Sequence, residues 1–509
     1  MTYLTRRRLI LAGVGAAAAA ALAACGAATP TEAPKPTEAP KPAAAEPTKP
    51  AAAAAAPTNT PAAKPAEAAK PTEAPKPAAA ATKPAEPTKP AAAPAPTAAP
   101  KYSAGGAASP EVVFWHTQTG PLADGLNKII NDYNAKATTA KIRPEYAGNY
   151  TQLYQKAMAS IAGGGLPDMA VAYESMIADY MKANAVIALD DYVNAGGTGL
   201  TKSDLDDFYP SVLNRNRFPQ FGNKLLSFPF TVSNLMMYAN TDMLKKVGIE
   251  KAPETWDDFD AAGKTVKEKA GAVLHGVSID ASYVNGFIYS RGGKLLDETN
   301  SKTLYDQKPT VDTFELMERM AKEGTVVQLK SGSFDDQNDF AAEKMAILIR
   351  SSTTRPFLDP LVKDKFKWGM FTIPQGKDNK EKATVLFGAN VGVFKSNPDK
   401  QQAAWNFIKH FSSPEVTSEW ASIGGYMPVR KAGATVDPYK SFVAKNPEIN
   451  RAALDNLPFS LPEPNLVGWQ DVRPVIEGAY ESAIAGKTPG AQAAKKLKEE
   501  ADKLLAEKR

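Results

Sequence analysis

From residue 112 onward, apolar positions along the chain follow two alternating rhythms. Val112-Val113-Phe114-Trp115 is a short apolar run and predicts a strand; after a glycine-containing turn, Leu126, Ile129, Ile130 and Tyr133 recur at helical spacing. The alternation continues with a strand at 142–146, a helix at 150–162 and a short strand at 168–172. Further on it predicts strands at 234–238, 345–350, 368–373 and 392–394. Helices are predicted at 241–247, 256–270 after Pro253, 311–323, 472–485 and from 491 to the end. Strands alternating with helices define an α/β chain. No internal repeat of solenoid length is present.

The first hundred residues do not share this pattern. Thr5-Arg6-Arg7-Arg8 is a basic start, Leu9 to Ala21 is an Ala-rich apolar stretch, and Leu22-Ala23-Ala24-Cys25 follows. That order is similar to a bacterial lipoprotein signal, in which the cysteine thiol is lipidated and becomes the mature N-terminus. Residues 1–25 are therefore expected to be a signal peptide ending at a lipidated Cys25. The Arg6-Arg7 pair also fits a twin-arginine signal, so the export route stays open between that and general secretion. An uncleaved anchor is the other reading, but the run is short for a bilayer and leans on alanine. Residues 26–108 repeat Lys-Pro and Thr-Glu-Ala-Pro between Ala runs and hold close to half of all the prolines. Such a segment buries nothing and is expected to be a disordered linker. At about 3.1 Å per residue, an extended Pro-rich tether reaches on the order of 200 Å from its lipid. The expected location is the outer face of the cell membrane, extracellular or periplasmic.

Composition excludes several classes. The 60 basic and 55 acidic residues are mixed rather than blocked, so a net charge of +5 gives no basic stripe for nucleic acid. With one cysteine in 509 residues there is no disulfide framework and no Cys-based metal site. The three histidines, His116, His275 and His410, lie far apart and form no HExxH. No Gly-x-Ser-x-Gly elbow occurs. Gly486-Lys487-Thr488 echoes the end of a P-loop but has Glu481 where that motif needs glycine, and reads as a loop between helices. Gly163-Gly164-Gly165 follows a helix and reads as its cap. Asp335-Asp336-Gln337-Asn338-Asp339 lacks the glycine and distal Glu of a calcium loop and reads as a helix entry. No catalytic constellation emerges, and nothing calls for a metal or another cofactor.

Several segments, taken in order, resemble family 1 extracellular solute-binding proteins. They are Phe114-Trp115-His116-Thr117, Gly148-Asn149-Tyr150, Gly165-Leu166-Pro167-Asp168, Ala172-Tyr173-Glu174, Asn240-Thr241-Asp242-Met243 and Pro253-Glu254-Thr255-Trp256-Asp257. Within that family the chain looks closest to the glycerol-3-phosphate-binding receptors, with the maltose-binding type more distant. The resemblance implies a two-lobed periplasmic-binding-protein-like fold (type II) with the ligand between the lobes. It places lobe 1 at 109–231 and 353–411 and lobe 2 at 232–352 and 412–509, with crossovers near Val232 and Ser351. It further implies a non-enzymatic receptor that hands a small solute, a sugar or a glycerol phosphate, to membrane permease subunits of an ABC importer.

Carried over position by position, the resemblance implies a ligand site of Tyr150, Glu174, Ser233, Ser351, Gly388, Tyr426 and Arg473. A carboxylate such as Glu174 suits vicinal hydroxyls; an arginine, a serine and a glycine amide suit phosphate oxygens. Each alone has a plainer reading: Tyr150 as a helix start, Glu174 as a surface residue, Arg473 paired with Asp471 or Glu477. One departure bears on the ligand. Where the glycerol-phosphate receptors carry tryptophans over the ligand, this chain has Asp280-Ala281-Ser282-Tyr283. Asp280 would repel a phosphate dianion, and the missing aromatic wall would fall to Tyr283 or Trp469. A glycerophosphodiester or a neutral sugar then fits better than glycerol-3-phosphate. Two other functions stay in play: a secreted carbohydrate-active enzyme, which needs two carboxylates flanking a bond, and an envelope binding protein with no part in transport.

Overall fold

A computed structural model describes residues 111–330 and 333–508, so Cys25, the signal segment and the linker lie outside the described residues. Two sheets organise the fold. The first has the order β2-β1-β3-β13-β6, built from β1 (Glu111–His116), β2 (Lys141–Tyr146), β3 (Met169–Ala172), β6 (Phe228–Pro229) and β13 (Asn390–Val393). A short hairpin of β4 (Arg217–Phe218) and β5 (Lys224–Leu225) lies beside it in sequence. The second has the order β14-β12-β7-β10-β8-β9, from β7 (Ser233–Asn240), β8 (Val273–Val277), β9 (Val326–Gln328), β10 (Met345–Ser351), β12 (Thr384–Phe387) and β14 (Ser460–Leu461); β11 (Trp368–Thr372) also pairs with β7. The longer helices are α1 (Gly120–Lys136), α2 (Tyr150–Gly163), α3 (Glu174–Lys182), α4 (Trp256–Ala270), α5 (Ala281–Ser290), α6 (Lys308–Lys322), α7 (Arg355–Val362), α8 (Pro398–Phe411), α9 (Pro414–Gly424), α10 (Trp469–Ile484) and α11 (Gly490–Lys508). Among the described residues, no helix is long and apolar enough to cross a membrane.

Local chemistry explains where elements begin and end. Asn149 starts α2 with a reciprocal box: its side chain accepts from Gln152 N–H, and Gln152 accepts from Asn149 N–H, both at 2.9 Å. The same device, Thr255 with Asp258, starts α4. Gly164 ends α2 at φ 86°, as expected of the glycine run. Strand β7 is buried at all eight positions, because both of its faces meet a core. Leu235, Met237 and Ala239 join the core of the second lobe under α4, α5, α10 and α11, while Met236 and Tyr238 join the core shared with the first.

Two segments pack against a different sheet from the one expected of them. Strands β11 and β12, expected in lobe 1, pair end to end along one edge of β7, with Met370 opposite Tyr238 and Phe387 opposite Ser233. A strand buried on both faces must also satisfy both edges: β11 and β12 pair with one edge of β7, and β10 pairs with the other. Conversely, α9 and the residues after it, expected in lobe 2, pack on the first lobe: Trp420, Tyr426, Met427 and Val429 belong to its core. By sheet pairing, the chain passes from the first sheet to the second between β6 and β7, back between β12 and β13, and to the second again at β14.

The two central crossovers run side by side. Thr231 N–H donates to Ala389 O and Ala389 N–H donates to the Thr231 hydroxyl, each at 2.9 Å. Gly388 sits between them at φ 104°, and a Cβ there would lie 2.2 Å from the Thr231 carbonyl oxygen. Only glycine allows this approach.

Candidate binding cleft between the two sheets

The C-terminal ends of the parallel strands of both sheets point their following residues at the space between the lobes, where α/β receptors take ligands. On the first lobe, β3 delivers Tyr173 and Glu174, and the start of α2 delivers Tyr150. The Tyr150 and Tyr173 rings stack with centroids 4.2 Å apart. Burial pushes both phenols up, and each tyrosine is held near charged groups of the cleft: Tyr150 near Arg215 and Glu174, Tyr173 near Arg473 and Asp280. From the second lobe, α10 carries Arg473 over the Tyr173 ring, 5.5 Å from its centroid.

Glu174 is buried, 3.1 Å from Arg215 Nε, and accepts from Asn390 Nδ2 at 3.0 Å. Arg215 also reaches both crossovers, donating to the Phe387 and Thr231 carbonyls at 3.3 Å. Burial works against the Arg215 charge and pulls it down from the usual arginine range, with Glu174 opposing the shift. Among the described residues, the buried Arg215 Nε and Asn390 Oδ1 have no hydrogen-bond partner. Arg215 Nε faces the Glu174 carboxylate as an ion pair outside hydrogen-bond geometry, and Asn390 Oδ1 keeps unused capacity beside it.

Arg473 is held differently from either plain expectation. It pairs with neither Asp471, which binds Lys508 at 2.8 Å, nor Glu477. Its Nη1 donates to both oxygens of Glu463, at 3.1 and 2.8 Å, and to the Ser282 hydroxyl at 2.9 Å. The same carboxylate accepts from Asn285 and Ser282, both at 2.6 Å. Although burial opposes its charge, Glu463 and then Asp280 hold Arg473 above the usual arginine range.

Contacts join several of the expected positions to one another and to their neighbours. Ser233 opens β7 opposite Phe387, one residue from Gly388. Tyr426 is buried, its hydroxyl within 3.4 Å of Gln118 Nε2, and Tyr150 and Thr231 lie beside it. Tyr283 stands 5.8 Å from the Phe387 ring with its hydroxyl beside Arg350, which precedes Ser351. Arg350 is bound by Asp336 through two hydrogen bonds of 2.7 and 2.8 Å.

Three expectations change in detail. Asp280 is first of all a helix cap: its Oδ1 takes the N–H groups of Ser282 at 2.8 Å and Tyr283 at 3.3 Å, and it stands 3.9 Å from Arg473. Ser351 turns its hydroxyl to Thr353, accepting from its N–H at 3.3 Å. Trp469 is fully buried in the core of the second lobe near Tyr305, so it offers no face to a ligand. Tyr150 and Tyr173 stack on one another, while Tyr283 stands by Phe387.

Arg215 and Glu463 were not singled out from the sequence. Arg215 lies in Asn214-Arg215-Asn216-Arg217, which looks like a solvated surface run. Glu463 carries a better signal, since Pro462 and Pro464 on either side fix the backbone around a carboxylate.

A cavity of about 330 Å³ is lined by Arg215 together with Tyr289, Leu296, Pro462 and Glu463, and by none of Tyr150, Glu174 and Arg473. A larger hollow of about 1370 Å³ lies along β11 on the second lobe, lined by Lys245, Lys367 and Trp368 among others, and none of the converging groups faces it.

Two α/β lobes joined by crossing strands, with tyrosines, arginines and carboxylates converging between them, define a cleft receptor for a small polar solute. Residues 128–450 match the family model of the bacterial extracellular solute-binding proteins, and the chain belongs to that family. It is 26% identical over 418 residues to the sn-glycerol-3-phosphate-binding periplasmic protein UgpB of Escherichia coli (strain K12), a match covering 77% of this chain and 92% of that protein. Its fold is similar to that of UgpB from Mycobacterium tuberculosis in complex with glycerophosphocholine, with a TM-score of 0.68 and 20% identity, covering 79% of this chain and 99% of that one. A solute-binding protein of an ABC transporter from Thermotoga lettingae TMO, bound with α-D-tagatose, gives a TM-score of 0.66 at 21% identity over 78% of this chain and all of that one.

Proposed function

We propose that this chain is the exported receptor of an ABC importer that captures a neutral or zwitterionic polyhydroxylated solute, a sugar or a glycerophosphodiester, rather than glycerol-3-phosphate. The observation that carries the ligand class is the pairing of the cleft arginines. Arg215 faces Glu174, Arg350 is bound by Asp336, and Arg473 is neutralised by Glu463 with Asp280 close by. A phosphate dianion would have to compete with these carboxylates for guanidinium groups already matched in charge. Hydroxyls meet no such conflict. They can use Asn390 Oδ1 and the Glu174 carboxylate, while a sugar ring or a trimethylammonium group can lie against the tyrosines. The relatives bound to glycerophosphocholine and to tagatose support the same reading.

Calorimetry of the full chain against glycerol-3-phosphate, glycerophosphocholine and maltose tests it. The wild type is expected to prefer one of the latter two. Glu463→Gln frees Arg473 and is expected to raise glycerol-3-phosphate affinity by about tenfold or more, since charge-assisted contacts are worth about 1.5–3 kcal/mol. Tight wild-type binding of glycerol-3-phosphate, unchanged by Glu463→Gln, would refute this ligand class.

The Cys25 context supports a lipid anchor on the receptor. Cys25→Ala is expected to lose incorporation of labelled fatty acid and to release the protein from membranes; labelling that persists in the variant contradicts the anchor.

A further inference from the structure

The two helices that carry Glu174 and Arg473 into the cleft also touch one another across it. Ser175, Asp179 and Lys182 lie at i, i+4 and i+7 on α3, which places them on one face of the helix. All three are bonded to the second lobe. Asp179 Oδ1 accepts the Gly468 N–H at 2.8 Å, at the N-terminus of the sixteen-residue α10. Gln470 donates to the Ser175 hydroxyl, and Lys182 donates to the Lys508 carbonyl. The other Asp179 oxygen accepts from the Tyr154 hydroxyl at 2.9 Å, so the carboxylate is held from its own lobe while it engages the opposite one.

A carboxylate at a helix N-terminus meets unsatisfied N–H groups and the positive end of the helix dipole. Gly468 sits there at φ 81°, and a Cβ on it would come within 2.7 Å of Lys508 Cγ, so the close approach needs a glycine. A second cross-lobe contact flanks the first: Asn465 donates to the Arg217 carbonyl at 2.9 Å and accepts from Gln220 at 2.6 Å. Burial pushes the Asp179 carboxyl up, against the pull of its two donors.

We infer that Asp179 is a positioning residue that latches the lobes closed over the ligand by capping α10 from the opposite lobe. It does not touch ligand. Its bonds form only when α3 and α10 meet, so they add to the stability of the closed state and slow ligand escape. The inference rests on the receptor reading above, and one arm of its test needs no ligand.

Solution scattering of the ligand-free full chain compares wild type, Asp179→Ala and Asp179→Asn. Asp179→Ala is expected to increase the radius of gyration, and Asp179→Asn, which keeps one acceptor oxygen, to increase it less. Stopped-flow dissociation of maltose and glycerophosphocholine is expected to accelerate about tenfold or more in Asp179→Ala, with the association rate within about twofold of wild type. The paired variant Ser175→Ala/Gln470→Ala gives the same readouts should Asp179→Ala fail to fold. Scattering and dissociation rates that both match wild type overturn the latch, as does a lowered unfolding midpoint with unchanged scattering, which marks Asp179 as a structural residue only. If neither probe binds the wild type, scattering alone decides the latch, and the missing binding counts against the ligand class instead.

Discussion

Truncation of Arg473 to Ala is expected to cost about 3–5 kcal/mol of folding stability as well as ligand binding, because it leaves the Glu463 carboxylate buried without its cation. Arg473 and Glu463 are both largely buried, at 12% and 14% side-chain exposure, and share two hydrogen bonds. Ser282 and Asn285 still donate to Glu463 in the variant, but neither carries charge. A double-mutant cycle in urea separates the terms. Arg473→Ala/Glu463→Gln is expected to recover much of the loss, since the uncompensated charge is gone, while binding stays impaired because the guanidinium over Tyr173 is absent. Equal stability losses in the single and double variants would contradict this account. Lys at 473 should restore stability only in part, since a point charge cannot hold Glu463 and the Ser282 hydroxyl in the same fork.

Gly388→Ala is expected to lose about 2–4 kcal/mol, the combined effect of a strained φ and a backbone collision. A methyl group at 388 would press on the Thr231 carbonyl oxygen and carbon and on the Val232 Cα, which cannot give way as a flexible side chain would. Gly164→Ala isolates the first of these effects: Gly164 also has a positive φ, 86°, but a Cβ there meets nothing within 4 Å. Its loss should be near 1 kcal/mol. Urea midpoints of the two variants that fall together would show that the crossover packing contributes little. Because Thr231 and Ala389 bond each other across this point, Gly388→Ala should also weaken ligand binding by disturbing the paths that join the lobes.

Much of the fold was legible from periodicity. The elements predicted at 112–115, 150–162, 256–270, 345–350 and 472–485 correspond to β1, α2, α4, β10 and α10, each carrying a strong apolar rhythm or a cap of its own. Helices α3 and α5 were not legible. In α3, seven of nine residues are buried, Glu174, Ser175 and Asp179 among them, so no polar face marks it as a surface helix. In α5 nine of ten residues are buried, which leaves no amphipathic contrast to read. The sheet that takes 368–372 was not legible for a related reason: whether it pairs with one sheet or the other depends on which free edge is nearby, not on its own residues.

The family resemblance singled out Tyr150, Glu174, Ser233, Ser351, Gly388, Tyr426 and Arg473 one position at a time, and the tertiary structure shows what each of them touches. It also supplied the partners that decide their chemistry. Glu463 is only ten residues from Arg473, yet nothing in Leu461-Pro462-Glu463-Pro464 says that its carboxylate turns back onto α10. Arg215 reaches Glu174 and two crossover carbonyls from a segment whose composition suggests solvent. The sequence by itself determined the α/β class, the glycine cap of α2 and the absence of a Cys-based metal site, because these rest on local backbone preferences and on composition. The tertiary structure alone decided which carboxylate neutralises which arginine and how α3 meets α10, because pairing energies between charges distant in sequence exist only once the folded chain brings them within hydrogen-bond distance.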